Sequence, residues 1–150
     1  MNPQILIREY QKEDQPVILE LLRLNTPAYF SPEEEQDLIH YLNNEIERYF
    51  VLEYDGNVVG SGGINFSEDQ ATGKISWDIL HPTYQGKGLG SLLLNHRIDT
   101  LKNLPQIRTI SVRTSQLVYR FYEKQGFQLL EVVKDYWAPG YDMYRMEYAR

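Results

Sequence analysis

Seven residues in the middle of the chain, Gln85-Gly86-Lys87-Gly88-Leu89-Gly90-Ser91, sit between a run that reads as a strand ending near Leu80 and a run with leucines at helical spacing. A strand that turns on glycines straight into a helix leaves the first amide N–H groups of that helix without intrahelical partners, and the macrodipole adds partial positive charge at the same end. Such a turn is an anion cradle. Glycine lets backbone approach a phosphate with no Cβ in the way, and Lys87 brings a mobile cation. The glycines by themselves also suit an exposed flexible turn. The segment departs from the phosphate loop, which ends Gly-Lys-Ser/Thr, and from the dinucleotide fingerprint, whose third glycine comes one residue later.

Around this turn the periodicity predicts alternating elements of one α/β (α+β) domain. Residues 5–8 read as a strand, and residues 16–25 as a helix that places Val17, Ile18, Leu21 and Leu22 on one face and stops at Asn25-Thr26-Pro27. Ser31, Pro32 and Glu34 form a capping signature, so a second helix is expected from there to about residue 47. Strands over 49–54 and 58–66 are joined by Asp55-Gly56-Asn57, a hairpin signal, and a third strand covers 74–80. Leu89, Leu92, Leu93, His96, Leu101 and Leu104 trace a helix face; a strand over 107–112, a helix over 116–125 and strands over 127–133 and 141–148 complete the order. A length of 150 residues matches a single core, so residues 1–150 are read as one domain.

The chain lacks cysteine, which removes disulfides, thiolate metal sites and a cysteine nucleophile together. His40, His81 and His96 form no pair at metal-binding spacing, so no metal is expected; His81 beside the 74–80 strand reads either as a proton relay or as a turn residue. With 15 basic and 21 acidic side chains the net charge is −6, which argues against a general nucleic-acid binder. The acid excess lies in residues 1–50, around Glu33, Glu34, Glu35 and Asp37, while residues 101–150 are mildly basic. No 18-residue apolar run occurs and residues 1–10 lack a leader pattern, so the expectation is no membrane span and a cytoplasmic setting.

Read with its neighbours, the glycine turn resembles the acetyl-coenzyme A loop of the GNAT superfamily of N-acetyltransferases, whose pattern Gln/Arg-x-x-Gly-x-Gly/Ala is met by Gln85, Gly88 and Gly90. Upstream, Trp77-Asp78-Ile79-Leu80-His81-Pro82 resembles the family's preceding strand; downstream, Phe121-Tyr122-Glu123-Lys124-Gln125-Gly126-Phe127 resembles its late helix. The three motifs stand in family order over about residues 74–133. The resemblance implies a single N-acetyltransferase domain with a mixed, mostly antiparallel sheet of about six to seven strands, flanked by about four helices, in which a splayed strand pair holds acetyl-coenzyme A as cosubstrate. It implies pyrophosphate contacts from Gln85, Gly86, Lys87, Gly88, Leu89, Gly90 and Ser91, and pantetheine along the backbone near Leu80. Amides around Ile79 and Leu80 would polarise the thioester carbonyl, Lys124 would join the cofactor contacts, and Tyr122 would sit by the sulfur as proton donor. Without that context Tyr122 reads as a core aromatic beside Phe121.

The acceptor must lose a proton before it attacks, so a base or water chain is expected. The family's histone-modifying branch carries a glutamate where this chain has Lys74. Strand alternation puts Ser76, Asp78 and Leu80 on the face of Lys74, which makes Asp78 the candidate base; a surface aspartate at a strand end fits as well. Ser115 stands where many members have asparagine, and as a cap it still offers a hydroxyl to the cofactor. No Gly-x-Ser-x-Gly elbow is present, which leaves direct transfer in a ternary complex.

Nineteen aromatics, twelve of them tyrosine, include Tyr29 and Phe30 between the first two helices and Tyr136 and Trp137 in the expected connection of the last two strands. These four are the candidate acceptor pocket for a small amine, an amino acid, a polyamine or a peptide amine; tyrosines at cores or dimer interfaces are the competing reading. Two other functions fit parts of the sequence: a module that binds acyl-coenzyme A without turnover, which would tolerate Tyr122→Phe, and an interaction domain with no cofactor affinity. Exposed last strands pairing edge to edge would give a homodimer.

Overall fold

A computed structural model describes residues 2–149. Its strands are β1 (Ile5–Glu9), β2 (Arg48–Tyr54), β3 (Asn57–Phe66), β4 (Thr72–Leu80), β5 (Thr109–Thr114), β6 (Phe127–Ala138) and β7 (Tyr141–Tyr148). They form one sheet in the order β1-β2-β3-β4-β5-β7-β6. Every neighbouring pair is antiparallel except β4 and β5. A parallel pair needs a crossover, which the helix α3 (Leu89–Lys102) supplies. The other helices are α1 (Gln15–Leu24), α2 (Glu34–Asn44) and α4 (Tyr119–Lys124).

Both faces of the sheet are covered, which is why β2 reads as a continuous apolar run. Phe50 and Leu52 point into a core with Leu93, Leu94, Ile98 and Tyr122 from α3 and α4, while Tyr49 and Val51 point into a second core with Ile18, Leu22, Leu38 and Tyr41 from α1 and α2. The parallel ladder pairs Thr72–Ile75 of β4 with residues 109–112 of β5 and then stops. Residues 76–80 of β4 therefore pair with no strand on that edge among the described residues, and the sheet opens into a V.

Several expected boundaries move. The α3 stripe is Leu89, Leu93, Leu94, Arg97, Ile98 and Leu101, all buried, whereas Leu92 is 47% exposed and His96 is exposed. A buried arginine at the centre of the stripe hid the true face. Helix α2 begins at Glu34 rather than at Ser31: Glu34 accepts the Ser31 N–H at 2.8 Å, but the Ser31 hydroxyl has no partner, so only half of the capping box forms. Helix α4 starts at Tyr119, because Ser115 to Val118 make a separate turn, with Val118 and Tyr119 N–H on Ser115 O. Strand β6 runs five residues past its expected end to a tight Pro139-Gly140 turn, so Tyr136 and Trp137 lie on a strand and not in a connection.

Candidate active site

Strand β4 breaks its own alternation beside the V. Ser76 lies opposite Gly63 of β3 and Ile79 opposite Ser61, so Trp77 and Asp78 together face the single residue Gly62. Trp77 takes φ +49° to make this bulge. The extra residue exchanges the faces. Ser76 stays on the α1/α2 side, where its side chain meets Tyr41, while Asp78 and Leu80 emerge on the α3/α4 side. The expectation that Asp78 shares a face with Lys74 and Ser76 is thus corrected, and the bulge is the cause.

On its actual face Asp78 meets two buried groups. Arg97, with no exposed surface, donates from Nε to Leu93 O (3.2 Å), from Nη1 to Gly63 O (3.1 Å) and from Nη2 to Asp78 Oδ1. A Cβ at residue 62 would lie 2.6 Å from both Arg97 Nη1 and Asp78 Oδ1, so only glycine lets the guanidinium lie against β3. The Tyr122 hydroxyl donates to Asp78 Oδ2 at 2.5 Å. Tyr122 is buried between Phe121 and Phe127, each ring packed edge-on at 5.1 and 5.6 Å. Burial first, then the negative charge of Asp78, push this hydroxyl well above its ordinary value near 10. It is a protonated donor throughout the neutral range.

The end of β4 is pinned from outside the expected set. Asn25 donates its side-chain amide to Leu21 O (2.8 Å) and Leu80 O (3.0 Å), and Gln85 Nε2 reaches Asn25 Oδ1 (3.3 Å) and Leu80 O (3.4 Å). Because His81 N–H donates to Val59 O at 2.7 Å, alternation turns the Ile79 N–H toward β3 as well, and leaves the Leu80 N–H facing the V. Of the two expected amides, Leu80 is the one available to a ligand in the splay.

The turn 85–91 ends in a left-handed cap. Gly86 and Gly88 have φ of +81° and +80°, and nothing lies within 4 Å of a Cβ built at either. Among the described residues the first α3 amide with a backbone partner is Leu92 N–H, on Gly88 O (3.1 Å), so the N–H groups of residues 89–91 have no intrahelical partner. Ser91 Oγ accepts from Gln125 Nε2 (2.9 Å), and Ser115 Oγ accepts the Leu117 N–H (3.2 Å).

One cleft of about 1120 Å³ brings these groups together. Its wall includes Gln85, Gly86, Gly88, Gly90 and Ser91 of the turn, Asp78, Ile79 and Leu80 of β4, and Tyr122 and Ser115. Tyr29, Phe30 and Trp137 line the same cleft, with Phe30 stacked on Trp77 at 6.2 Å and Trp137 Nε1 donating to Thr114 O (3.0 Å). Tyr136, Lys87, Leu89 and Lys124 are not part of its wall. Tyr136 is 46% exposed and its hydroxyl accepts from Arg113, Leu89 is in the core, and Lys87 and Lys124 are exposed. Tyr141 closes one end by donating its hydroxyl to Pro27 O (2.8 Å), which ties β7 to the α1–α2 connection. Among the described residues no cluster of three or more His, Asp or Glu side chains is arranged for a metal ion, and no helix is long and apolar enough to cross a membrane.

A family model described as the acetyltransferase (GNAT) family matches residues 16–127. The amino-acid acetyltransferase of Neisseria meningitidis serogroup A is 29% identical over 129 residues, which are 83% of this chain and 27% of that protein. The chain thus spans about a quarter of the length of the curated relatives it matches. Among solved structures, the ribosomal-protein-S18-alanine N-acetyltransferase of Escherichia coli superposes with a TM-score of 0.78 at 19% identity, over 97% of this chain and 93% of that one. N-acetylglutamate synthase of Neisseria gonorrhoeae, complexed with coenzyme A and N-acetyl-glutamate, gives 0.73 at 22%, over 100% of this chain and 36% of that one. At these identities the superpositions speak to the fold.

Proposed function

Because the chain belongs to the acetyltransferase (GNAT) family, we propose that it moves the acetyl group of acetyl-coenzyme A directly to a primary amine, with both substrates bound at once. The observation that carries this reading is the Tyr122–Asp78 hydrogen bond beside the open strand edge of β4. It joins a protonated donor to a carboxylate at the place where a thioester in the splay would lie.

Acetyl-coenzyme A supplies the acetyl group as a thioester. The turn 85–91 suits its pyrophosphate, since the α3 N-terminus presents unpartnered amides below open space. The Leu80 N–H stabilises negative charge developing on the carbonyl oxygen. As the C–N bond forms and the C–S bond breaks, Asp78 takes the proton of the attacking amine and Tyr122 gives its own to the leaving sulfur. The hydrogen bond between the two then returns the proton from Asp78 to Tyr122, so the net transfer is one proton from nitrogen to sulfur. Arg97 holds Asp78 in place for both steps.

The relatives' names span amino acids and an alanine of ribosomal protein S18, and a primary amine is the acceptor they have in common. Strand β6 supports a homodimer: it is a twelve-residue edge strand with Leu129, Leu130, Val132 and Val133 exposed, the kind of edge that folds cover or pair. Light scattering after size exclusion, expected to give twice 17.7 kDa, rejects the dimer if it gives the monomer mass.

The test is thiol release from acetyl-coenzyme A across a panel of amines, with Tyr122→Phe as the variant. Turnover by the native chain with a loss of about a hundredfold in the variant is expected, at unchanged cofactor affinity. Cofactor binding with no turnover on any amine would instead favour a non-catalytic binding module.

A further inference from the structure

On the α1/α2 side of the sheet the floor of the cleft carries cations without anionic partners. Lys74, at the last regular stretch of β4, lines the cleft, and its ammonium makes no hydrogen bond or ion pair among the described residues. Its cross-strand neighbour on β5 is Ser111, which also lines the cleft. Arg113 lies two residues farther along β5 on the same face, roughly 7 Å on at strand rise, and its Nη1 donates to the Tyr136 hydroxyl (3.1 Å). The third cation there, Arg145 of β7, is already matched by Glu131 (3.0 Å) and Glu147 (3.4 Å). Glu147 of β7, in register with Ser111, is engaged by Arg145, while Glu34 and Glu45 reach the cleft from α2 and its C-terminal end. Glu34 accepts the Ser31 N–H at 2.8 Å.

We infer that this half of the cleft recognises a carboxylate carried by the amine acceptor, with Lys74 and Arg113 as its cations and the Ser111 hydroxyl as a neutral donor between them. The inference rests on the acetyl transfer proposed above and narrows its acceptor to amines of the amino-acid type. A polyamine would bring a second ammonium against two uncompensated cations, and like charges so placed disfavour binding. A zwitterion fits the cleft, its anion on the β4–β5 floor and its nitrogen toward Asp78, which lines the same cleft.

The experiment pairs each L-amino acid with its α-carboxamide, adds spermidine, and measures kcat and KM by thiol release beside acetyl-coenzyme A binding by calorimetry. The best acceptor is expected to be a free carboxylate favoured over its carboxamide by tenfold or more in KM, the worth of a charge-assisted contact. Lys74→Met, and separately Arg113→Gln, should shrink that ratio by about tenfold. Equal use of acid and amide, a preference for spermidine, or variants that lower both members of a pair alike would overturn the carboxylate site while leaving acetyl transfer standing. No binding of acetyl-coenzyme A would remove both readings together.

Discussion

Arg97→Met keeps the length of the side-chain stem and deletes the guanidinium. Two hydrogen bonds to neutral carbonyls are lost, at Leu93 and Gly63, along with the charged contact to Asp78. Taking about 1 kcal/mol for each neutral bond and about 2 for the charged one gives about 4 kcal/mol, within the 3–5 kcal/mol typical of breaking a buried pair. The Asp78 side chain keeps 22% of its surface in solvent, so water offsets part of the loss and about 3 kcal/mol remains. In urea, with a slope of about 2 kcal/mol per molar for a chain of this size, the midpoint should fall by about 1.5 M. Asp78→Asn in the same background removes the stranded charge, and the double variant should recover at least about 1 kcal/mol over Arg97→Met alone. A midpoint shift below about 0.5 M, or single losses that simply add in the double variant, would refute the view that Arg97 and Asp78 act as one buried unit.

Gly62→Ala pushes a methyl group against Arg97 and Asp78, and a loss of about 1–3 kcal/mol is expected by thermal or urea unfolding; no loss would mean the guanidinium is free to move aside. Alkaline stability follows from Tyr41, Tyr49 and Tyr122, whose hydroxyls are all pushed up chiefly by burial. A raised folded value means each contribution is intact below the ordinary value near 10 and is lost as pH climbs from there toward the folded value. Each costs about 1.4 kcal/mol per pH unit, so the urea midpoint should drop steeply above pH 10. Phenolate absorbance from all twelve tyrosines before that drop would contradict it.

Much of the architecture was legible because local chemistry and tertiary structure agree. Asp55-Gly56 both take positive φ in the expected hairpin, and the turn 85–91 joins β4 to α3 where its glycines indicated. The two misreadings that bear on the site, the face of α3 and the face of Asp78, share a cause: each depends on a partner distant in sequence. Nothing near Arg97 in sequence shows its partners on β3 and β4, and leaving it off the stripe moved the apolar face of α3 onto Leu92 and His96. The bulge at Trp77 has no local marker of its own; it is a register event between β3 and β4, yet it decides that Asp78 faces Tyr122 and not Lys74. Three glycines within β3, at 60, 62 and 63, were the available hint that something large approaches that strand. Asn25 read as a helix stop and is one, but its side chain also fixes Leu80 across the chain.

Acetyl transfer by this chain requires first that the turn at the start of α3 hold acetyl-coenzyme A. Titration calorimetry of the native chain against Gly88→Glu addresses that directly, because a carboxylate at the left-handed cap both strains the backbone and repels a pyrophosphate. Saturable 1:1 binding by the native chain, lost in a variant that keeps its circular dichroism spectrum, is the predicted result. Equal binding by both chains, or none by the native one, would contradict the assignment of this cleft to acetyl transfer.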